Sequence, residues 1–410
     1  MFFPQSTLDL LKSAFIKKEF LHIPASLSDG HVFDRIGWQD INQMMRENRL
    51  TAPRLRLCKN GQTIPEADYT CQHTLRRGTT IRTIAEEKFY AFLRDDATLV
   101  IDSIDQLHRP LDDFCAHLEM GFQTSLQVNT YMSWGETRGF DTHWDDHDVI
   151  ILQVEGRKNW FLFGETRKYP LYTDLHSKEN TAPTDCVWNE IIQKGDILFI
   201  PRGYWHHAVA LREPSLHLTF GFSAVTGLQV IDWLKEKWLT HEAVRQDVPF
   251  LESSEERTVY WTTLKNTLLD VLNDTSLEDF VREYRAKTTP RQRFSLPEAV
   301  LKPGVLSEDF YFQWHVPWVE GYGIDPSSGN LAFKTGEKIY QFAGVAKPLF
   351  DTLITGQPQN LRQLCTQFSA TLSAAQIRTL ISDLLLRSLV QGVYVGTKTD
   401  WKADTFRWGT

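Results

Sequence analysis

Between Ala97 and Ser223 six short apolar runs succeed one another: TLVID, SLQVNTYM, DVIILQV, KNWFLF, DILFIP and SLHLTFGF. Turns containing Gly, Pro and Asp separate them. Runs this short and this rich in β-branched and aromatic residues read as strands. Many such strands at close spacing favour a sandwich or barrel over a parallel sheet linked by helices. The middle of the chain is therefore expected to be a β core, taken here as residues 96–224.

The flanks have other textures. At 410 residues the chain is long enough for about two to four domains. Residues 1–95 mix short helical patterns with strand-like pieces. Among these, Arg54 to Cys58 alternates at period two and runs into a Lys59, Asn60, Gly61 turn. They are read as an α/β extension that packs on the barrel. Residues 225–300 turn helical, with Leu228, Ile231, Leu234 and Trp238, and later Leu264, Leu268, Val271 and Leu272, near a 3.6 period. After the loop KTTPRQRFSLP, residues 301–410 end in two capped helices and a strand pair. Asn360 with Gln363 and Ser373 with Gln376 are the expected caps, and Val390 to Val395 the expected hairpin wing. This last segment is read as winged-helix-like.

Composition removes several classes of function. A hydrophobic fraction of 42% with 12% aromatics, against 23% charged residues, excludes disorder as the main state. A net charge of -8 argues against binding nucleic acid or an anionic membrane through bulk charge. No run reaches the roughly 18 apolar residues of a membrane helix, and the start MFFPQSTLDLLKSAF lacks the pattern of a secretory signal. The cysteines, Cys58, Cys71, Cys115, Cys186 and Cys365, are odd in number and never in C-x-x-C, so no disulfide framework or thiolate zinc site is indicated. The expected location is the cytoplasm.

The chemistry concentrates in two stretches, GFDTHWDDHDVIILQVEGRKNWFLF and KGDILFIPRGYWHHAVA. Residues two apart on a strand face the same side, so His143 and Asp145 would offer an imidazole and a carboxylate to one point. A later antiparallel strand can return a third ligand, and His206 is that residue. Two histidines and one carboxylate on one face of an octahedral ion suit non-haem Fe(II), with positions open for a co-substrate and O2. His207 alternates to the opposite side and is expected to pack or hydrogen-bond there. His147 lies two residue steps, roughly 7 Å, beyond Asp145 and is read as a rim residue. Asp146 and Asp148 are read as turn or solvent-facing groups.

A ferrous site of this kind also needs an anchor for an anionic co-substrate. If Lys158, Trp160 and Leu162 share the inward face of their strand, the Lys158 ammonium can meet a carboxylate where water is excluded. The plainer alternative is an exposed lysine beside a turn. Asn129 and Tyr131 share one strand face, as do His217 and Thr219; each also fits a satisfied core polar group.

These stretches resemble JmjC-type oxygenases of the cupin superfamily, and within them the ribosomal-oxygenase branch. The resemblance spans about Phe20 to Ser223 and is carried by ATLVIDSIDQLHRPL, LQVNTYMSWGETRGFDTHWDDHDVIILQVEGRKNW, GDILFIPRGYWHHAV and SLHLTF. The H-x-D pair, a lysine at the usual offset and the P-R-G-x-x-H turn are specific in combination. What it implies is an α+β fold: a double-stranded β-helix (jelly-roll, cupin) core, then a helical dimerisation segment and a C-terminal winged-helix-like domain. It implies Fe(II) held by His143, Asp145 and His206, with 2-oxoglutarate and O2 as co-substrates. Lys158 would meet the distal carboxylate of 2-oxoglutarate, helped by Asn129 and Thr219, and Tyr131 would contact substrate. The implied activity is that of a 2-oxoglutarate-dependent dioxygenase that hydroxylates a side chain of a protein, a ribosomal protein being one candidate, and releases succinate and CO2. A homodimer is implied too. Two departures stand out: Gly221 replaces a small polar residue, and Phe140, Asp141 and Thr142 replace a Gly/Pro-rich approach to His143.

Other readings stay open. A metal-binding cupin could act as a sensor or transcription regulator through its winged helix, or an oxygenase could act on modified RNA or a small molecule. Leu331 to Asp400 carries seven Lys/Arg against four Asp/Glu, but Ser373 to Leu389 has only Arg378 and Arg387 as cations, too few for phosphate contacts. Nucleic-acid binding is therefore not expected, and no membrane partner is.

Overall fold

Alternation along the central strands sorts side chains to two sides and so decides what each side packs against. The computed structural model describes residues 3–28, 36–176, 181–287, 291–336 and 338–393. The chain divides into two units, Met1–Ala224 and Val225–Thr410.

The first unit contains, in chain order, strands β1 (Leu21–Ile23), β2 (Leu55–Lys59), β3 (Gln62–Thr63), β4 (Thr70–Thr74), β5 (Thr80–Ile84), β6 (Thr98–Ile101) and β7 (Leu126–Ser133). They are followed by β8 (Asp148–Glu155), β9 (Arg157–Glu165), β10 (Trp188–Gln193), β11 (Ile197–Ile200), β12 (Tyr204–Ala210) and β13 (Ser215–Phe222). One antiparallel sheet has the order β1-β11-β8-β13-β7-β6-β2-β3, and β10-β9-β12 form a second. Among the described residues β4 and β5 pair only with each other.

The two sheets face one another across an apolar cluster. Val149 and Ile151 of β8 and Leu198 and Ile200 of β11 pack with Trp160, Leu162 and Ile192 from the second sheet. This is the jelly-roll arrangement of a cupin. The outer face of the large sheet is covered by helices Gln5–Lys17 and Arg109–Phe122. Leu8, Leu11, Phe114 and Leu118 meet Val128, Met132, Leu218 and Phe220 there, with Phe114 edge-on to Phe220 at 5.5 Å. A fully buried Leu or Phe in such a layer stabilises by about 1.5–3 kcal/mol relative to an exposed one. The cost of shifting β7 or β13 by one residue is plain: it would exchange these apolar side chains for Asn129, Tyr131, His217 and Thr219.

In the second unit, helices Gly227–Trp238, Ser254–Asp274 and Leu277–Lys287 meet through Trp233, Leu234, Val271 and Phe280. Capping boxes at Thr226 with Gln229 and Ser253 with Glu256 start the first two. Further on are β14 (Tyr311–Trp314), β15 (Glu320–Ile324), β16 (Leu331–Thr335), β17 (Lys338–Phe342), β18 (Gln359–Asn360) and β19 (Val390–Gly392). They form two sheets, β18-β14-β19 and β15-β16-β17, packed around Phe312, Phe333 and Phe350. Asn360 caps helix Leu361–Gln367, and the Ser373 and Gln376 box caps Ala374–Leu386. The run expected as a hairpin wing pairs, in its described part, with β14 from far upstream; Tyr394 and Val395 lie outside the described residues. No helix among the described residues is long and apolar enough to cross a membrane.

Candidate metal centre

His143 and Asp145 stand in the connection from β7 to β8, and His206 on β12. The backbones of His143 and His206 exchange two hydrogen bonds, 3.1 Å from His143 N to His206 O and 2.7 Å in return. A bulge on β9 makes this register possible: Trp205 pairs with Gly164 and His206 with Leu162, so Phe163 is left over. Gly164 has φ +79°, a conformation that favours glycine at a bulge. Gly203, at φ +87°, donates its N–H to the carbonyl of Asp145 at 2.9 Å and ties the P-R-G turn to the first two ligands.

The three side chains converge. Nε2 of His143 is 3.9 Å and Nε2 of His206 3.6 Å from the Asp145 carboxylate, and one ligand atom from each residue lies within 4.8 Å of the others. Both imidazoles are oriented from behind. Nδ1 of His143 donates to the carbonyl of Asp141 at 2.8 Å and Nδ1 of His206 to that of Tyr204 at 2.9 Å. A carbonyl only accepts, so each proton sits on Nδ1 and each Nε2 lone pair is free to bind a cation. Burial, reinforced by the neighbouring His143, holds His206 down to about 4, which keeps it neutral and ligating at neutral pH. Burial would raise the Asp145 carboxyl, but His143, His206 and His147 outweigh it and hold it below the ordinary range. Two neutral imidazoles and one carboxylate fit a divalent iron without thiolates.

The triad, Lys158, Asn129, Thr219 and Tyr131 all line one cavity of about 340 Å³. That is a volume typical of small-molecule sites, which begin at about 300 Å³. Lys158 is 4% exposed, so the alternative of an exposed lysine is excluded. Its ammonium contacts Ser133 Oγ at 3.1 Å and His217 Nδ1 at 3.4 Å, and burial pulls it down to about 7. Asn129 spends its carbonyl oxygen on the N–H of Ser103 at 3.0 Å, and its side chain also hydrogen-bonds the Tyr131 phenol. The Tyr131 phenol is raised by burial and by the nearby Asp145, so it stays protonated.

His207 points away from the ligand centre, where Nδ1 meets Thr142 Oγ1 at 2.9 Å and the ring stacks on Phe161 at 4.7 Å. Through Thr142 it steadies the residue before His143. His147 lies over Gly221: a Cβ added there would come within 2.8 Å of the imidazole. This histidine occupies the space that a side chain at 221 would enter. One expectation is corrected. Asp148 is only 2% exposed; it pairs with Lys18 and accepts the N–H of Arg202 at 3.1 Å, so it joins the start of β8 to the turn that leads to His206. Ser133 was missed as well, although it shares the parity of Asn129 and Tyr131 on β7 and could have been found by counting two further.

Comparison with known proteins bears on the same stretch. The JmjC domain family matches residues 104–230. The chain carries a JmjC domain. The Drosophila persimilis protein called bifunctional lysine-specific demethylase and histidyl-hydroxylase NO66 is 33% identical over 113 residues, covering 27% of this chain and 16% of that protein. The Brugia malayi protein of the same name is 36% identical over 112 residues, 26% of this chain and 16% of its own length. The chain thus spans about a sixth of the length of these relatives. Similarity of fold extends beyond the JmjC domain: the X-ray structure of E. coli ycfD superposes with a TM-score of 0.54 at 15% identity, covering 93% of this chain and 98% of that one. A ribosomal oxygenase YcfD structure in complex with cobalt and 2-oxoglutarate matches with a TM-score of 0.52 at 14% identity, over 91% and 94%.

Proposed function

We propose that the chain is an Fe(II)- and 2-oxoglutarate-dependent oxygenase that hydroxylates a side chain of a protein, a ribosomal protein being the favoured class. The observation that carries this reading is the pairing, in one cavity, of the His143, Asp145 and His206 centre with a buried Lys158 whose hydrogen-bond partners, Ser133 and His217, are neutral. A buried ammonium without a counter-ion calls for an anion, and a dicarboxylate that reaches from Lys158 toward the triad supplies one. The names of the NO66 relatives and of the YcfD structures support the same chemistry.

When bound, iron(II) with 2-oxoglutarate and O2 supplies the oxidant for C–H hydroxylation, with release of succinate and CO2. The chain's own residues hold and exclude. His143 and His206 present Nε2 because backbone carbonyls hold their Nδ1 protons, and Asp145 supplies the charge. Lys158 clamps the distal carboxylate, with Asn129 and Thr219 beside it, while Trp160, Val149 and Ile151 keep that part of the cavity dry. Tyr131 stays a neutral donor and would contact substrate. No side chain here has to act as a general base.

The finer architecture is proposed on the same footing. Residues 225–300 would be a dimerisation segment, a reading supported by the exposed Val259, Trp261, Leu269 and Leu272 on one helix. Residues 301–410 would be a winged-helix-like unit for protein docking. The regulator alternative is weakened by how its cations are spent: Arg378 pairs with Glu308 at 2.8 Å and Arg387 with Asp383 at 2.8 Å. Anaerobic purification with Fe(II), followed by treatment of cell lysate with and without 2-oxoglutarate, tests the main reading. Mass spectrometry should show a protein gaining one oxygen atom only with 2-oxoglutarate, with stoichiometric succinate. Absence of both products from wild type would remove it.

A further inference from the structure

Among the described residues, the hydrogen-bond and strand partners of Lys158 are all neutral. Ser133 Oγ lies 3.1 Å from Nζ and is itself 3.1 Å from Thr98 Oγ1. His217 Nδ1 lies 3.4 Å from Nζ, and this histidine is 4% exposed. The paired strands place Ile192 of β10 and Ala210 of β12 opposite Lys158, and neither carries charge. Tyr131 of β7 and Trp160 of β9 line the same cavity, the phenol being pushed up by burial and so uncharged; the ionisable groups that share the cavity are His143, Asp145 and His206 of the metal centre, with His147 and His207.

His217 is also clamped. Its ring lies flat on Tyr131, centroids 4.9 Å apart and planes 9° from parallel, and it meets Trp160 edge-on at 5.4 Å. An ammonium has no lone pair, so Nδ1 accepts from Nζ and the imidazole proton sits on Nε2. Ser133 accepts a second Nζ–H, which leaves the third for whatever enters the cavity.

Resting on the reading of Lys158 as the 2-oxoglutarate anchor, we propose that His217 is a positioning residue that aims the Lys158 ammonium together with Ser133, and that the dicarboxylate enters this neutral cradle together with a proton. The balance is simple: an unprotonated Lys158 takes H+ from solvent at Nζ as the dianion arrives, and an ion pair forms with no other bond made or broken. Burial, which holds Lys158 down to about 7 and His217 well below its usual range, makes Lys158 the member of the cradle that changes charge near neutrality. The sign follows. Below about pH 7 the ammonium is already formed and affinity is flat; above it each bound dianion must also recruit a proton, so affinity falls by up to about tenfold per pH unit.

Calorimetry of 2-oxoglutarate binding to the full chain loaded with Mn(II), under argon, in two buffers of different ionisation heat, reads both parts. Wild type should take up close to one proton per site at about pH 8.5 and much less at about pH 6. His217→Phe keeps the stack on Tyr131 but removes the acceptor; it should bind 2-oxoglutarate about ten- to a hundredfold more weakly with Mn(II) affinity unchanged. His217→Asn, which restores an acceptor near Nδ1, should recover most of the loss. Wild-type affinity in His217→Phe overturns the positioning role, and the absence of proton uptake by wild type overturns the coupling. The second measurement needs no variant, so it decides even if His217→Phe fails to fold. Wild type that binds Mn(II) but no 2-oxoglutarate at any pH would instead remove the anchor reading itself.

Discussion

In the first unit Asp148, Lys158, Asp196, His206, His207 and His217 are each at most 5% exposed, whereas the buried polar side chains described in the second are Ser295, Thr335 and Asn360. Both units have apolar cores of ordinary kind, built on Phe220 and Phe222 in one and on Phe312, Phe333 and Phe350 in the other. The difference lies in which charges are withdrawn from water. An ionisable group in a core is costly unless it is paired, and an unpaired one survives where function uses it. Asp148 is paired with Lys18 and serves the architecture. Among the described residues Lys158 meets Ser133 and His217 and no carboxylate, and the proposed dicarboxylate would supply the missing charge.

That contrast can be broken most sharply at the ligands. Asp145→Ala or His206→Ala should lower Fe(II) or Mn(II) affinity by at least about a hundredfold, measured by metal titration, and should end succinate formation. Retained metal affinity would mean that the polar cluster of the first unit is only structural.

A second test turns on the sign of the lysine's contribution to stability. In the metal-free protein Lys158→Met should raise the melting temperature at pH 7 and below, by about 2–4 °C for each kcal/mol recovered. The advantage should shrink as pH rises above about 7, because the folded protein then sheds the Lys158 proton while the unfolded chain keeps it to a pKa of about 10.4. A pH-independent gain would show that Lys158 is not held low by burial.

The smallest effect belongs to the second unit. Ser373→Ala removes the cap of helix Ala374–Leu386 and should cost about 1 kcal/mol of stability by denaturant unfolding. Metal and 2-oxoglutarate affinities should be those of wild type, and a change in either would join the two units functionally.

Much of the site is legible in the sequence because strands have a period of two. Counting by twos puts Asn129 with Tyr131 and sends His207 away from His206, whereas His143 and Asp145, expected on a strand end, converge from the connection between β7 and β8. The misjudged residue, Asp148, illustrates the limit of that counting. An aspartate after a turn looks solvent-facing, and nothing nearby in sequence announces Lys18, its partner 130 residues upstream. The wing is a similar case: Val390–Gly392 finds its partner in Tyr311–Trp314, a pairing that local alternation cannot specify.

Periodicity, turn chemistry and the identity of the ligating side chains are local properties, so the order of strands, the capped helices and the triad's members were inscribed in the chain itself. Long-range register is not local. The bulge at Phe163 that brings His206 opposite His143, the His147 ring over Gly221, and the neutral cradle of Ser133 and His217 around Lys158 all depend on which strand lies beside which. Such choices are made by the packing energy of the whole barrel, where one residue of slip would turn a row of polar groups into the apolar core.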